Sequence, residues 1–324
     1  MQPKTYVIYH SADLDGLFCY EIAKAFYAGQ KPFETTDGQT RSDFIEFIGW
    51  NHGEPVPEIE PGSEVVMLDL GIEALIQDAI EKSISMTWID HHENIVTKYK
   101  DIEMCGSRLP DVAACRQAFQ FFKKKSEIWN GTAPLVEWSL PTSEEYLNRA
   151  VYEPAGIRLA GEYDVWDHRD PNCMPFQLGA KLDTKALHIF LTDDAHTFAH
   201  TISQGGLLLA EKIETNKKLI SDIGFDAIFQ DRKVLACNVA HSNSQVFDSM
   251  MKDEHELLVA FSYNGRLRKW KFSLYQNPKH PEIDVSKIAR KCGGNGHRGA
   301  AGFECSFISI ESADDGSSYI DIMP

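Results

Sequence analysis

Three short apolar runs, each ending in acidic or histidine side chains, constrain this chain more than any other feature. Tyr6-Val7-Ile8-Tyr9 runs into His10-Ser11-Ala12-Asp13-Leu14-Asp15-Gly16, Val65-Val66-Met67-Leu68 into Asp69, and Met86-Thr87-Trp88-Ile89 into Asp90-His91-His92. Apolar runs of this length read as buried strands. In an open α/β sheet the polar groups at the carboxyl ends of parallel strands converge on one crevice, so the three segments can share a site. Carboxylate and imidazole clusters are what hard and borderline divalent cations bind.

The intervening segments carry helical patterning. Over residues 17–28, Leu17, Tyr20, Ile22, Ala23 and Phe26 form an apolar face behind the Gly16 turn, which predicts a helix. Residues 72–80 predict a second amphipathic helix, and residues 111–123 a third whose first turn is acidic and last turn basic, in accord with the helix dipole. Residues 53–62 are rich in Pro and Glu and read as a surface loop. Thr142-Ser143-Glu144-Glu145 fits a capping box opening a helix that runs toward Tyr163. Alternating strands and helices are the signature of a βαβ sheet.

Residues 206–223 are helical in pattern and polar on one face, which suits a connector. Beyond them the pattern changes to strands over residues 234–239, 257–263 and 270–274, then a helix over residues 285–291. Gly293-Gly294-Asn295-Gly296-His297-Arg298-Gly299-Ala300-Ala301-Gly302-Phe303 follows, a turn whose backbone amides can approach an anion or a base closely. The predicted class is α/β. A parallel-sheet, metal-binding domain is expected over residues 1–195, a helical linker over 196–225, and a smaller mixed α/β substrate-binding domain over 226–324, with the active site in the cleft between the domains.

Composition limits the partners. The 324 residues suffice for two domains with their own cores. A formal net charge of -16 argues against a surface that holds long duplex DNA or RNA by counterion release. A short phosphorylated substrate remains compatible, because a bound cation reverses the local sign of the field. No apolar stretch approaches the roughly 20 residues needed to span a bilayer, and no signal peptide is visible, so a cytoplasmic protein without membrane contact is expected. The seven cysteines are scattered without a CxxC pair, which suggests reduced thiols and no structural zinc.

Each segment also has a plainer reading. Asp13 and Asp15 belong to a turn, where Asp and Gly occur for local hydrogen-bonding reasons. Asp69 can be the N-cap of the helix beginning near Ile72, and Asp90 an N-cap followed by two exposed histidines. Three independent strand ends with ligand-type side chains favour the shared site.

His10-Ser11-Ala12-Asp13-Leu14-Asp15-Gly16, Asp69, Asp90-His91-His92 and residues 293–303 together resemble the motifs of the DHH phosphoesterase superfamily with its type 1 associated C-terminal domain. That superfamily includes RecJ-like exonucleases, nanoRNases, dinucleotide phosphodiesterases and, with a different C-terminal domain, pyrophosphatases and exopolyphosphatases. The resemblance spans nearly the whole chain in order. It implies two Mn²⁺ ions, with Mg²⁺ or Co²⁺ as substitutes, bridged by an aspartate and a water or hydroxide. Carried over by motif, His10 and Asp13 bind one metal, Asp15 and His91 the other, and Asp69 bridges both. Asp164 supplies the fourth motif's aspartate, with Asp167 as substitute. Asp90 orients the histidines and His92 faces the scissile phosphate, while Gly294, Gly296, His297 and Arg298 contact the substrate. The first motif is one residue shorter than is usual in pyrophosphatases and nanoRNases. Tyr275 stands where many relatives place an arginine.

The resemblance implies Mn²⁺-dependent hydrolysis of short oligonucleotides or dinucleotides to nucleoside monophosphates by a monomer or homodimer. A phosphomonoesterase or exopolyphosphatase acting on a small phosphorylated molecule is the alternative within hydrolases. A non-catalytic nucleotide or metal sensor is the alternative of another class.

Overall fold

The computed structural model describes residues 4–29, 44–82, 84–129, 139–296, 298–312 and 318–323. The chain divides into two units, Met1–Leu209 and Ala210–Pro324. The first is built on strands β1 (Thr5–His10), β2 (Ile45–Trp50), β3 (Glu64–Leu68), β4 (Ser85–Ile89) and β5 (Cys105–Ser107). Its helices are α1 (Leu14–Ala28), α2 (Glu73–Lys82), α3 (Glu93–Lys98), α4 (Ala114–Trp129), α5 (Ser143–Leu147), α6 (Ala155–Asp164) and α7 (Cys173–Ala180), followed by a 3₁₀ segment, Thr184–Leu191.

All pairings in this sheet are parallel, in the order β2-β1-β3-β4-β5. Period-two alternation sends Val7, Val66, Leu68 and Ile89 to one face, where α1, α4, α6 and α7 cover them. Tyr6, Ile8, Val65, Met67, Met86 and Trp88 pack on the other, under α2 and α3. Burial on both faces is why the strands read as continuous apolar runs. The chain order reverses between β1 and β3, making that gap the topological switch point where open α/β sheets bind ligands. Tyr9 pairs with Leu68 and Leu68 with Ile89, so the residues that follow emerge level with one another.

Local chemistry moved several boundaries from their expected places. The Thr142 capping box is present, with Glu145 N–H donating to Thr142 Oγ1 and Thr142 N–H donating to the Glu145 carboxylate. Its helix stops at Leu147, however, because Arg149 takes a left-handed φ of 53° and Pro154 starts a separate helix, α6. Helix α4 begins at Ala114 and has no acid in its own first turn. Its leading amides are instead satisfied by Asp15 from α1, which accepts from Ala114 N–H at 2.8 Å and Cys115 N–H at 2.6 Å. Helix α8 (Ala195–Ile223) contains the boundary between the units.

The second unit is a mixed eight-stranded sheet. Its strands are β6 (Gly224–Phe229), β7 (Arg232–Asn238), β8 (Leu257–Asn264), β9 (Lys269–Gln276), β10 (Asn295–Gly296), β11 (Ala300–Cys305), β12 (Phe307–Ser312) and β13 (Ser318–Met323), with helix α9 (Val285–Lys291). The order is β10-β11-β9-β8-β7-β6-β13-β12, with β7–β8 and β6–β13 parallel and the rest antiparallel. One face packs Phe261, Phe272 and Phe303 against Val285, Ile288 and Ala289 of α9. The other buries Leu235, Cys237 and Leu258 against Ile220 at the end of α8. All seven cysteines are free thiols. Among the described residues no helix is long and apolar enough to cross a membrane.

Candidate metal centre

The carboxyl ends of β1, β3 and β4 deliver His10, Asp69 and Asp90-His91-His92 to one point, and the turn into α1 adds Asp13 and Asp15. Gly16 makes that turn possible: a Cβ there would lie 1.9 Å from the His10 carbonyl oxygen. Asp13 serves twice, capping α1 by accepting from Gly16 N–H at 3.0 Å while its other oxygen lies 2.9 Å from His10 Nδ1. The capping and ligand readings of this residue are therefore compatible. Asp69 sits beyond β3 at a φ of 56°, a left-handed conformation that Asp tolerates better than most side chains.

Asp69 is the hub. Its Oδ2 lies 3.4 Å from His10 Nδ1, and its Oδ1 lies 3.4 Å from His91 Nε2 and 3.9 Å from His92 Nδ1. His91 Nε2 is also 3.5 Å from Asp15 Oδ2 and 3.1 Å from Asp164 Oδ2, which α6 contributes. Three donor sets result, His10-Asp13-Asp69, Asp15-His91-Asp164 and Asp69-His91-His92, each with its ligand atoms within 4.8 Å of one another.

These donors fit divalent cations. Ligands about 2.1 Å from an ion and subtending 90–110° stand about 3.0–3.4 Å apart, the separations seen around His10 and His91. Two of the converging atoms, His10 Nδ1 and Asp69 Oδ1, are buried without a hydrogen bond, a cost that a cation between the donors removes. Asp90 differs. It is fully buried, and its Oδ1 accepts from His91 N–H (2.8 Å), His92 N–H (3.2 Å) and His92 Nδ1 (2.7 Å), so it fixes the turn and orients His92.

A scan against protein-family models finds no match, and a search of curated proteins finds none. Among solved structures, the DHH domain of a protein assigned to a family of ribosomal proteins is 12% identical, covering 99% of this chain and 83% of that one at a TM-score of 0.55. The chain has the DHH fold. Two weaker likenesses are a pGpG-specific phosphodiesterase from Vibrio cholerae and RecJ with Mn²⁺ from Thermus thermophilus. The first is 13% identical, covering 93% of this chain and 92% of that one at a TM-score of 0.44. The second is 16% identical, covering 93% and 49% at 0.46.

Within this DHH fold the sixth candidate ligand has a defined position. Asp164 faces His91, whereas Asp167 is committed to Arg169, whose Nε lies 2.8 Å from its Oδ1. In the second unit Gly294 and Gly296 lie where a Cβ would come within 2.1 Å of Gly302 O and 2.4 Å of Ala301 Cα, so the close pairing of β10 with β11 requires glycine there. Arg298 is exposed and donates to the Pro281 carbonyl at 2.6 Å. Tyr275 donates its hydroxyl to the Ser242 carbonyl at 2.6 Å. His297 lies outside the described residues.

Sequence reasoning missed His52. It follows β2, and its ring lies 6.0 Å from His10, 6.3 Å from His92 and 5.5 Å from Trp50, centroid to centroid. The signal was present: Ile45-Glu46-Phe47-Ile48 is another apolar run ending in polar residues, Asn51-His52. Glu46 and Gly49 interrupt it, and the strand went unread.

The cluster is electrostatically tense. His10 is raised to about 10 by its contacts with Asp13 and Asp69. For His91 burial acts downward, but the carboxylates of Asp164 and Asp69 overcome it and raise the imidazole to about 11. Burial and the charges of Asp69 and Asp164 push Asp15 well above the ordinary carboxylate range. Because both histidines are raised above the unfolded imidazole value, their contribution to metal-free stability is complete below about pH 6.5 and is lost as pH rises through 10 to 11. Cation binding has the opposite dependence, since each imidazole must shed its proton to become a ligand. Binding of divalent cations at about pH 7.5 should therefore release about two protons. Calorimetry in buffers of different ionisation enthalpy measures this, and zero release would show that these imidazoles are not ligands that start protonated at that pH.

Proposed function

We propose that the protein is a metal-dependent phosphoesterase whose substrates are short oligonucleotides or dinucleotides, cleaved to nucleoside monophosphates. The observation that carries this reading is the pair of donor sets joined at Asp69, one with His10 and Asp13, the other with His91, Asp15 and Asp164. Two divalent cations held there, Mn²⁺ in our reading, would supply Lewis acidity, making water nucleophilic at neutral pH and neutralising phosphoryl charge.

The chain's own residues do the rest. Asp15, anchored by two α4 amides, and Asp69, held in its strained turn, are preorganised acceptors that cannot swing away. Asp90 holds the Nδ1 proton of His92 and, through that hydrogen bond, raises the imidazole above its ordinary range. The Nε2–H of His92 is then left to donate to a phosphoryl oxygen, stabilising charge that develops in the transition state. In the overall reaction water adds hydroxyl to phosphorus, the bond to the leaving sugar oxygen breaks, and that oxygen takes the proton. Gly294, Gly296, His297 and Arg298 are proposed as substrate contacts from the second unit.

A 5′-phosphorylated dinucleotide incubated with Mn²⁺ should yield two mononucleotides, and EDTA should abolish the reaction until Mn²⁺ is restored. Preferential turnover of inorganic polyphosphate or a phosphomonoester would replace this substrate assignment with the alternative hydrolase. Absence of turnover on all three, with Mn²⁺ bound, would make the protein a sensor.

A further inference from the structure

We propose that Trp166 is a stacking surface for a base of the substrate, presented beside the metal centre by the turn that ends α6. The proposal rests on the nucleotide reading above. Asp167 N–H donates to Glu162 O at 2.7 Å and Trp166 N–H to Tyr163 O at 3.1 Å, the two bonds of a Schellman cap. The residue that makes the second of these bonds takes left-handed backbone and is ordinarily glycine, yet here it is Trp166, at a φ of 61°. The indole does not compensate by burial, because Trp166 is 54% exposed. A bulky ring on a strained backbone, mostly in solvent, contributes little to the fold, and strain of this kind gathers at functional sites.

What the turn achieves is placement. Asp164, 3.1 Å from His91, is two residues away, which keeps the two Cα atoms within about 7 Å. The indole is also braced. Its centroid lies 4.4 Å from the ring of His168, and His168 is stacked on Tyr163 at 5.7 Å with an interplanar angle of 15°. His168 Nε2 is buried without a hydrogen-bond partner, so stacking holds that ring in place. A flat, preorganised aromatic face carried two residues from Asp164 suits a nucleobase, since base stacking tolerates any base and needs no hydrogen-bond readout.

The test compares the wild type with Trp166→Gly, which removes the ring while relieving the strained cap, and Trp166→Phe, which keeps a ring. For a dinucleotide with Mn²⁺, Trp166→Gly should raise KM about 10- to 100-fold, against less than about threefold for the abasic analogue, and Trp166→Phe should recover most of the loss. The melting temperature of Trp166→Gly should not fall. A second readout needs no turnover: AMP should quench tryptophan fluorescence, ribose 5-phosphate should not, and the quench should vanish in Trp166→Phe. Persistence of that quench in a protein that hydrolyses nothing would overturn the phosphodiesterase reading and support the stacking surface. Equal losses on base-bearing and abasic substrates, or AMP quenching unchanged in Trp166→Phe, would overturn the stacking surface itself.

Discussion

Asp69→Asn should leave a folded protein that has lost about a thousandfold or more in turnover, equivalent to about 4 kcal/mol of transition-state stabilisation. The substitution is chosen for the backbone. Asn, like Asp, accepts the left-handed conformation that Asp69 adopts at a φ of 56°, so the change removes charge without adding strain. It also keeps the shape of a side chain that is 1% exposed. What disappears is the carboxylate facing both His10 and His91, and with it the link between the two donor sets. Saturating Mn²⁺ at about 100 times its Kd should stabilise the wild type by about 2.7 kcal/mol, and much of that gain should be missing in Asp69→Asn. Kinetics with a dinucleotide and thermal melts with and without Mn²⁺ measure the two effects. Retention of wild-type turnover by this variant would remove Asp69 from the centre of the site.

Arg116→Met should destabilise the metal-free protein by about 3–5 kcal/mol, because it strands a buried carboxylate. Arg116 is 2% exposed, and its Nε lies 2.9 Å from Glu153 Oε1, with the guanidinium over the ring of Tyr146. Burial already pushes the Glu153 carboxyl up, and Arg116 is what holds it down. The pair matters to the site by position. Arg116 lies on α4, whose N-terminus holds Asp15, and packs so closely on α6 that a Cβ at Gly161 would meet its Cδ at 2.6 Å. Asp164 ends that same helix. Replacing both partners, Arg116→Met with Glu153→Leu, should recover most of the loss, since the desolvation penalty goes with the charges. Urea denaturation resolves the series. A single variant as stable as the wild type would mean that the pair has no part in joining the helices.

Much of this arrangement was legible along the chain. Three apolar runs announced three adjacent strands of a parallel sheet, because burial on both faces leaves no room for polar alternation. The acids and histidines at their ends followed from strand polarity and Asp164 from the resemblance to the DHH motifs, and His10, Asp13, Asp15, Asp69, His91 and Asp164 now lie together. The helix over Val285–Lys291 was also readable, and Asp284 caps it by accepting from Ser286 N–H. Strand β2 was not, since Glu46 and Gly49 break its pattern, and His52 was lost with it.

Local sequence thus determined β1, β3 and β4 and which end of each would carry chemistry, because both depend on neighbours a few residues apart. Tertiary structure decided what depends on atoms far apart in the chain. The acid for α4 comes from Asp15, about a hundred residues earlier, since burial leaves the helix amides no water to bind. Asp164 rather than Asp167 reaches His91, since Arg169 already occupies Asp167. The left-handed turns at Asp69 and Trp166 were equally invisible, because Asp tolerates that conformation without requiring it, Trp is disfavoured there, and only the surrounding contacts hold them.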